Sequence, residues 1–390
     1  MGERMALTGN DSAAYALKQI NPDVVAAYPI TPQTELMHKF AEYVADGEVV
    51  TEFVPVESEH SAMSAAIGAS LAGARSCTAT SSQGLALMWE MLYIAASCRC
   101  PIVMPVVNRA LSGPINIHCD HSDGMGARDS GWIQLYCENC QESYDNTIQA
   151  IRIAEHPDVR TPVMVCLDGF ILSHTLEALE VMDDGVVRQF IGDYRPAGSL
   201  LDVDHPETFG AFSLQNYYFE FKKQQVDAMA GVPAIIEEIG EQYGKLTGRS
   251  YGLLDPYRCD DADVILVGLG STMGTAKQAA DDLRADEGLK CGALKVRSFR
   301  PFPGEQLRRL LKDGAAVGIL DRAISFGLGG PLFHEVRSAC GGAATMLNFI
   351  YGLGGRDLSL DGIKDLFRAL SEAKATGHAE PVERYVGVRE

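Results

Sequence analysis

Hydrophobic positions switch repeatedly between strand and helix spacing along this chain. Residues 23–30 (DVVAAYPI) form a continuous apolar run of strand length, and residues 34–44 place Leu36, Met37, Phe40 and Val44 on one helical face. A strand follows around residues 49–56. Residues 60–74 read as a helix dense in Ala, Gly and Ser, whose small side chains allow close approach to a sheet or another helix. The pattern then predicts a strand over 76–80, a helix over 85–97, and strands over 102–107 and 162–167. This alternation implies an α/β class, with a doubly wound, mostly parallel sheet covered on both faces.

That first unit is expected to fill residues 1–182. Over 183–255 the periodicity weakens: DYRPAGSLLDVDHPETF reads as an extended connector, and one helix is expected at 234–245. A second α/β domain is expected over 256–390, with strands at 264–267, 290–296 and 316–320 and helices at 272–284 and 304–312. No fixed-period repeat is visible.

Composition narrows the class. The chain has 390 residues, 46% hydrophobic and 22% charged, as in a soluble globular protein, and its formal charge of -19 opposes binding to nucleic acid or an anionic membrane. The first residues, MGERMALTGNDS, hold no apolar stretch of signal-peptide length, and residues 338–355, uncharged but rich in glycine, read as buried strand and turn. The ten cysteines are scattered, which suits reduced thiols and a cytoplasmic location. Cys137 and Cys140 make a lone C-x-x-C with no second pair at zinc spacing, and no iron–sulfur run is present, so clusters are expected elsewhere.

Several polar motifs stand where an open α/β sheet places its ligands. In Tyr28-Pro29-Ile30-Thr31-Pro32 the prolines stiffen the backbone, and either the Thr31 hydroxyl is presented to a ligand or Thr31 or Thr34 caps the next helix. Glu59, in Glu57-Ser58-Glu59-His60, is either a first-turn helix carboxylate or an acid facing a cofactor cleft. Thr80-Ser81-Ser82-Gln83-Gly84 offers amides to an anion or caps a helix. Arg109, after a strand ending MPVVN, suits bidentate carboxylate recognition or a surface salt bridge. Asp120-His121-Ser122-Asp123 reads as a hydrogen-bonded loop network, with metal or acid–base chemistry as the alternative. Gly268 to Gly274 imitates a dinucleotide fingerprint, but Lys295 and Arg297 stand where its acidic partner belongs, which weighs against a nicotinamide-linked dehydrogenase.

Taken in order, YPITPQTE, VESEHSAMSAAIGASLAGA, TSSQGLALMWE, NRALSGPINIHCDHSD, ARDSGWIQ and LDGFILSHT resemble the alpha subunit of pyruvate and related 2-oxoacid:ferredoxin oxidoreductases. The likeness continues through VILVGLGSTMGTAK, VRSFRPFP and GLGGRD, covering nearly the whole chain. It implies a thiamine pyrimidine-binding domain followed by a domain similar to the C-terminal domain of transketolases. Glu59 then matches the carboxylate that hydrogen-bonds the aminopyrimidine, Pro29, Ser82 and Gln83 fall at cofactor-binding positions, and Thr31 and Arg109 at those holding the substrate carboxylate and 2-oxo group.

The implied activity is CoA-dependent oxidative decarboxylation of pyruvate, with an arylglyoxylate as the alternative substrate and a non-catalytic scaffold as the more distant reading. Thiamine enzymes bind Mg²⁺ and diphosphate through G-D-G, and here Asp168-Gly169 follows Leu167 while Asp184-Gly185 follows Asp183. No metal ligand is therefore expected in this chain. The resemblance implies a partner subunit carrying G-D-G, an iron–sulfur subunit and a further small subunit. One departure is the cysteine-rich CRCP at 98–101, where the family more often has apolar or small residues, which raises oxygen and thiol sensitivity as a question.

Overall fold

The computed structural model describes residues 2–311, 314–341, 345–377, 379 and 382–389. Its strands are β1 (Glu3–Thr8), β2 (Val24–Ala27), β3 (Glu52–Pro55), β4 (Ser76–Cys77), β5 (Val103–Asn108), β6 (Ile133–Tyr136), β7 (Val163–Asp168), β8 (Leu176–Val181), β9 (Leu254–Tyr257), β10 (Val264–Gly268), β11 (Cys291–Val296), β12 (Ser298–Arg300), β13 (Ala316–Asp321), β14 (Met346–Ile350) and β15 (Glu383–Tyr385). The helices in the first half are α1 (Gly9–Ile20), α2 (Thr34–Ala45), α3 (Glu59–Leu71), α4 (Ser82–Leu87), α5 (Trp89–Ser97), α6 (Ser122–Gly126), α7 (Cys140–Glu155) and α8 (Asp184–Ile191). They are followed by α9 (Tyr218–Thr247), α10 (Thr272–Glu287), α11 (Gly304–Leu310), α12 (Pro331–Cys340) and α13 (Leu360–Thr376). Lys312, expected to end the helix that begins at Gly304, lies outside the described residues. No described helix is long and apolar enough to cross a membrane.

Two sheets organise the chain. The larger runs β12-β6-β7-β5-β4-β2-β3, parallel except where β12 pairs antiparallel with β6. The second runs β15-β14-β13-β10-β11-β9, parallel except for β9 on β11. Central strands β5, β7, β10 and β13 are buried at every position, as expected for parallel strands with helices on both faces. Because β12 comes from the second half yet completes the first sheet, the chain cannot be cut cleanly between its two sheets.

Some expectations need correction. The expected 76–80 strand keeps its regular ladder only over Ser76–Cys77. Thr78 N–H donates to Val103 O and Thr80 N–H to Pro105 O. The bond between them would need a donor at residue 105, and proline has none. The 85–97 helix is two helices broken at buried Met88. The 183–255 segment holds two helices, α8 and α9, rather than one. Helix α9 begins well before residue 234: its first half exposes Phe219, Phe221 and Val226, and burial starts at Val232, beside Pro233.

The two sheets meet through a buried charge. Asp168, at the carboxyl end of β7, takes His121 Nε2 at 2.7 Å, Arg322 Nη1 at 3.1 Å, Ser271 N–H at 3.1 Å and Ser271 Oγ at 2.6 Å. Burial pushes its carboxyl up, but His121, Arg322 and Ser271 outweigh that and hold it well below the ordinary carboxylate range. Arg322 also donates to Thr272 Oγ1 at 3.1 Å, and its backbone carbonyl accepts His121 N–H at 2.8 Å.

Replacing Asp168 with Asn leaves Arg322 charged and unmatched in the interior, and is expected to cost about 3–5 kcal/mol of stability. Denaturant midpoints of variant and parent check this. Since the carboxyl pKa is depressed, its contribution is in place above the unfolded value of about 3.9 and is lost only as pH falls through the depressed one, so the deficit should persist from about pH 5 to 8.

Candidate functional site

Strand β2 pairs with β3 on one side and β4 on the other, so the chain reverses direction of travel across the sheet there. Crevices at such switch points, beyond the carboxyl ends of the strands, hold ligands in open α/β sheets. Four segments converge on this edge: residues 28–32 after β2, Glu57–Glu59 after β3, Thr80–Gly84 after β4, and Arg109 after β5.

Glu59 opens α3, with Ser58 as N-cap accepting Ser61 N–H. Its carboxylate lies in the interior over Gly84: a Cβ at Gly84 would stand 2.7 Å from Glu59 Oε1 and 2.5 Å from Thr80 Oγ1. Only glycine lets α4 approach the acid this closely. Burial raises the Glu59 carboxyl above its ordinary value, opposed only by its own backbone N–H, and the Thr80 and Ser81 hydroxyls are buried without a hydrogen-bond partner. Glu59 is thus a first-turn carboxylate and also an acid held in a low-dielectric recess without a cation beside it.

Arg109 and Thr31 are brought together. Arg109 Nη1 donates to Thr31 O at 3.0 Å and Nε to Asn116 O at 2.9 Å, so the guanidinium is held by two carbonyls rather than by an acid. Among the described residues Nη2 has no hydrogen-bond partner. The capping alternative for Thr31 and Thr34 is not what forms: Gln33 is the N-cap of α2 without a side-chain cap bond, and Gln33 instead accepts Ile30 N–H and donates to Ala79 O. Thr31 and Pro29 are exposed on this rim.

Ser82 and Gln83 divide. Ser82 has a left-handed backbone (φ 47°) and is turned inward, its Oγ donating to Ala110 O at 2.7 Å. Gln83 lies on the rim and donates to Ser112 Oγ at 2.6 Å. The loop amide that the sequence offered to an external anion is taken by Asp123, which accepts Ser82 N–H at 2.9 Å, Arg109 N–H at 3.0 Å, Gly124 N–H at 2.7 Å and Asn108 Nδ2 at 2.8 Å. Burial raises the Asp123 carboxyl to about 6 even so. Asp123 therefore ties the arginine's strand end to the Ser82 loop.

The Asp120–Asp123 motif is a hydrogen-bonded loop network. Cys119, His121 and Asp168 do bring ligand atoms within 4.8 Å of one another, but Arg322 stands 3.7 Å from Cys119 Sγ and 3.1 Å from Asp168, where a cation would sit. At the dinucleotide-like turn, Ser271 N–H is already spent on Asp168. Lys295 lies inside, 2.9 Å from Glu138 and paired also with Glu142. Among the described residues all ten cysteines are free thiols, and burial pushes Cys137 up to about 12. Gly84 and Asn116 carry roles that sequence reasoning did not assign, since glycine has no side chain to read and Asn116 acts through its backbone carbonyl and a partner 238 residues away; Asp123 was expected in a loop network, but not the backbone groups it holds.

Two family models match the chain: "Pyruvate flavodoxin/ferredoxin oxidoreductase, thiamine diP-bdg" over residues 15–241 and "Pyruvate:ferredoxin oxidoreductase core domain II" over 262–363. The pyruvate synthase subunit PorA of Thermotoga maritima is 55% identical over 100% of this chain and 99% of the relative. PorA of Methanocaldococcus jannaschii is 48% identical over 96% of each, and the ketoisovalerate oxidoreductase subunit VorA of Pyrococcus abyssi 43% over 96% of this chain and 95% of its own. Among solved structures, a 2-oxoglutarate:ferredoxin oxidoreductase from Magnetococcus marinus shares the fold at TM-score 0.73 and 22% identity, over 95% of this chain and 65% of that one. A split-gene transketolase tetramer shares it at TM-score 0.56 and 14% identity, over 95% and 100%. With both models and full-length relatives in agreement, the chain belongs to the pyruvate and related 2-oxoacid:ferredoxin oxidoreductases, as a counterpart of their alpha subunit.

Proposed function

We propose that this chain forms the pyrimidine side of a thiamine diphosphate site and acts in CoA-dependent oxidative decarboxylation of pyruvate. The observation that carries this reading is Glu59: a buried carboxylate at the switch point of the sheet, with no cation beside it among the described residues. Names of relatives support pyruvate as the substrate. A partner carrying G-D-G would supply Mg²⁺ and the diphosphate half, an iron–sulfur subunit would take the electrons, and a further small subunit and a cytoplasmic location complete the proposal.

The residues present fit the cofactor's aminopyrimidine edge: an acid with its pKa raised by burial, with the unpartnered Thr80 hydroxyl meeting it over Gly84, suits a ring that carries both a basic nitrogen and an amino group. When bound, thiamine diphosphate supplies the nucleophilic carbon and the electron sink for decarboxylation. Glu59 would accept the hydrogen bond at the ring nitrogen and hold the proton there; a carboxylate serves because its bond strengthens as charge develops on the donor. Arg109, fixed by two carbonyls, would present Nη2 to the substrate carboxylate, and the Thr31 hydroxyl would meet the 2-oxo oxygen. Gln83 and Pro29 would line the cofactor's side of the cleft, with Ser82 holding the Gln83 loop from behind.

The decisive experiment is turnover of pyruvate, CoA and a one-electron acceptor by the assembled complex carrying Glu59→Gln. A fall of about 10²–10⁴-fold is expected; near-parental turnover would instead support the scaffold reading. Because the Glu59 pKa is raised, the parent should lose activity on the acid side at a higher pH than an ordinary glutamate would give, as protonation removes the acceptor. The residual activity of the Gln variant should lack that limb.

Arg109→Lys keeps the charge but loses the fork that grips two carbonyls and still offers a donor. Its kcat/KM for pyruvate should drop about ten- to hundredfold, in line with one charge-assisted hydrogen bond. Steady-state kinetics at saturating CoA check this.

A further inference from the structure

We infer that Asn116 is a positioning residue through which the second sheet's domain sets the orientation of Arg109, which gives that domain a part in substrate binding. The inference rests on the reading of Arg109 as the substrate-carboxylate ligand.

The contacts run without a break. The Asn116 carbonyl accepts Arg109 Nε at 2.9 Å, while its side-chain Nδ2 donates to Gly354 O at 3.1 Å. Asn116 Oδ1 accepts His118 N–H at 2.7 Å, closing a local turn that fixes where the Asn116 backbone lies. On the other side, Gly354 belongs to a short turn, Leu353–Gly355, just after β14, and its N–H reaches Asp120 Oδ2 at 3.4 Å. One loop, 109–122, therefore carries the arginine at its start and is gripped at Asn116 and Asp120 by a turn from the other sheet.

The fit leaves no slack. Gly354 has φ 60°, and a Cβ there would lie 2.4 Å from Asn116 Nδ2; a Cβ at Gly355 would lie 2.4 Å from His118 Cβ. Both glycines are needed for contact at this distance. The loop's own middle, Ser112 to Ile115, is exposed, and Ile115 is 77% accessible; besides the Gly354 contact it is held by Gln83 on Ser112 Oγ at 2.6 Å and by Ala110 N–H on His118 O at 3.0 Å. The Gly354 contact is the hold on Asn116 that comes from the other sheet, and without it the carbonyl that receives Arg109 Nε is less firmly placed.

Asn116→Asp isolates the link. The aspartate keeps the acceptor for His118 N–H and the backbone carbonyl for Arg109, but cannot donate to Gly354 O. In the complete complex we expect KM for pyruvate to rise about tenfold, because misplacing a substrate-positioning group by a fraction of an ångström weakens binding without touching the reacting atoms. Thermal midpoint and bound thiamine diphosphate should stay at parental levels. Gly354→Ala, which pushes from the opposite side, should give the same KM signature. Combining Asn116→Asp with Arg109→Lys should add little to the lysine variant alone, since one acts through the other.

A parental KM in both Asn116→Asp and Gly354→Ala, with Arg109→Lys impaired, overturns the inference and leaves the reading of Arg109 standing. A lowered kcat and thermal midpoint at unchanged KM marks a structural role only and also overturns it. A parental KM in Arg109→Lys overturns the reading of Arg109 and the inference with it.

Discussion

A carboxylate buried as deeply as Asp168 stays charged only if cations and donors replace the water it has lost, and the architecture of this chain follows from how that is done. Its partners come from places far apart in sequence: His121 from the loop after β5, Ser271 from the turn after β10, and Arg322 from the end of β13. Satisfying one charge thus fixes two sheets against each other. It also fixes the 119–123 segment, whose Asp123 in turn holds the backbone of Arg109 and Ser82. The same contact explains the fate of the glycine-rich turn after β10. An amide that could cradle a phosphate is given to a side chain of the first unit, so a binding motif becomes a joint.

The candidate site lies beside a defect in the sheet. Pro105 sits in a central strand, where its lack of an N–H would ordinarily be costly. Here it interrupts the β4–β5 ladder at Thr78, and beyond that point Thr80 and Ser81 turn their hydroxyls into the interior unpaired. The interruption lies next to the reversal of strand order at β2. Topology and a missing donor thus mark the same edge of the sheet, although pairing resumes at Thr80, and there the small-residue helix α3 and Gly84 bring the Glu59 acid close to Thr80.

Much of this was legible from the chain alone, and the unread parts share a physical cause. Apolar runs at β5, β7, β10 and β13 marked parallel strands because both faces of such a strand are buried. Thr31, Glu59, Gln83 and Arg109 stood out as polar residues just beyond the expected strands that became β2, β3, β4 and β5, which lie side by side in one sheet. Helix α7 was missed because it is covered on nearly all sides and its buried positions include Asp145, Asn146, Thr147 and Gln149, so polar residues do not mark an outer face. Asp145 is matched there by Tyr243, Tyr251 and Arg249, partners about a hundred residues away that no local pattern announces. The first half of α9 failed in the opposite way, since its apolar residues, Phe219, Phe221 and Val226 among them, stay largely exposed and mark no buried face. The Ser76–Thr80 strand was misjudged because its length is decided by a proline on its neighbour.

Contrast between the buried acids separates structure from chemistry. Asp145, Asp168 and Asp123 lie as deep as any group in the chain, yet each is surrounded by donors, and each joins segments that would otherwise drift apart. Glu59 is less deep and less served: burial raises its pKa, and only its own N–H works the other way. A structural acid left in that state would gain from a nearby cation or from exposure, and here the fold provides neither while placing glycine, not a bulkier residue, directly over the carboxylate. A raised, unpaired acid in a crevice is the state a proton-handling group needs, because it can accept a proton-sharing hydrogen bond from a ligand without first breaking one of its own. What the fold withholds from Glu59 is therefore what the proposed chemistry requires of it.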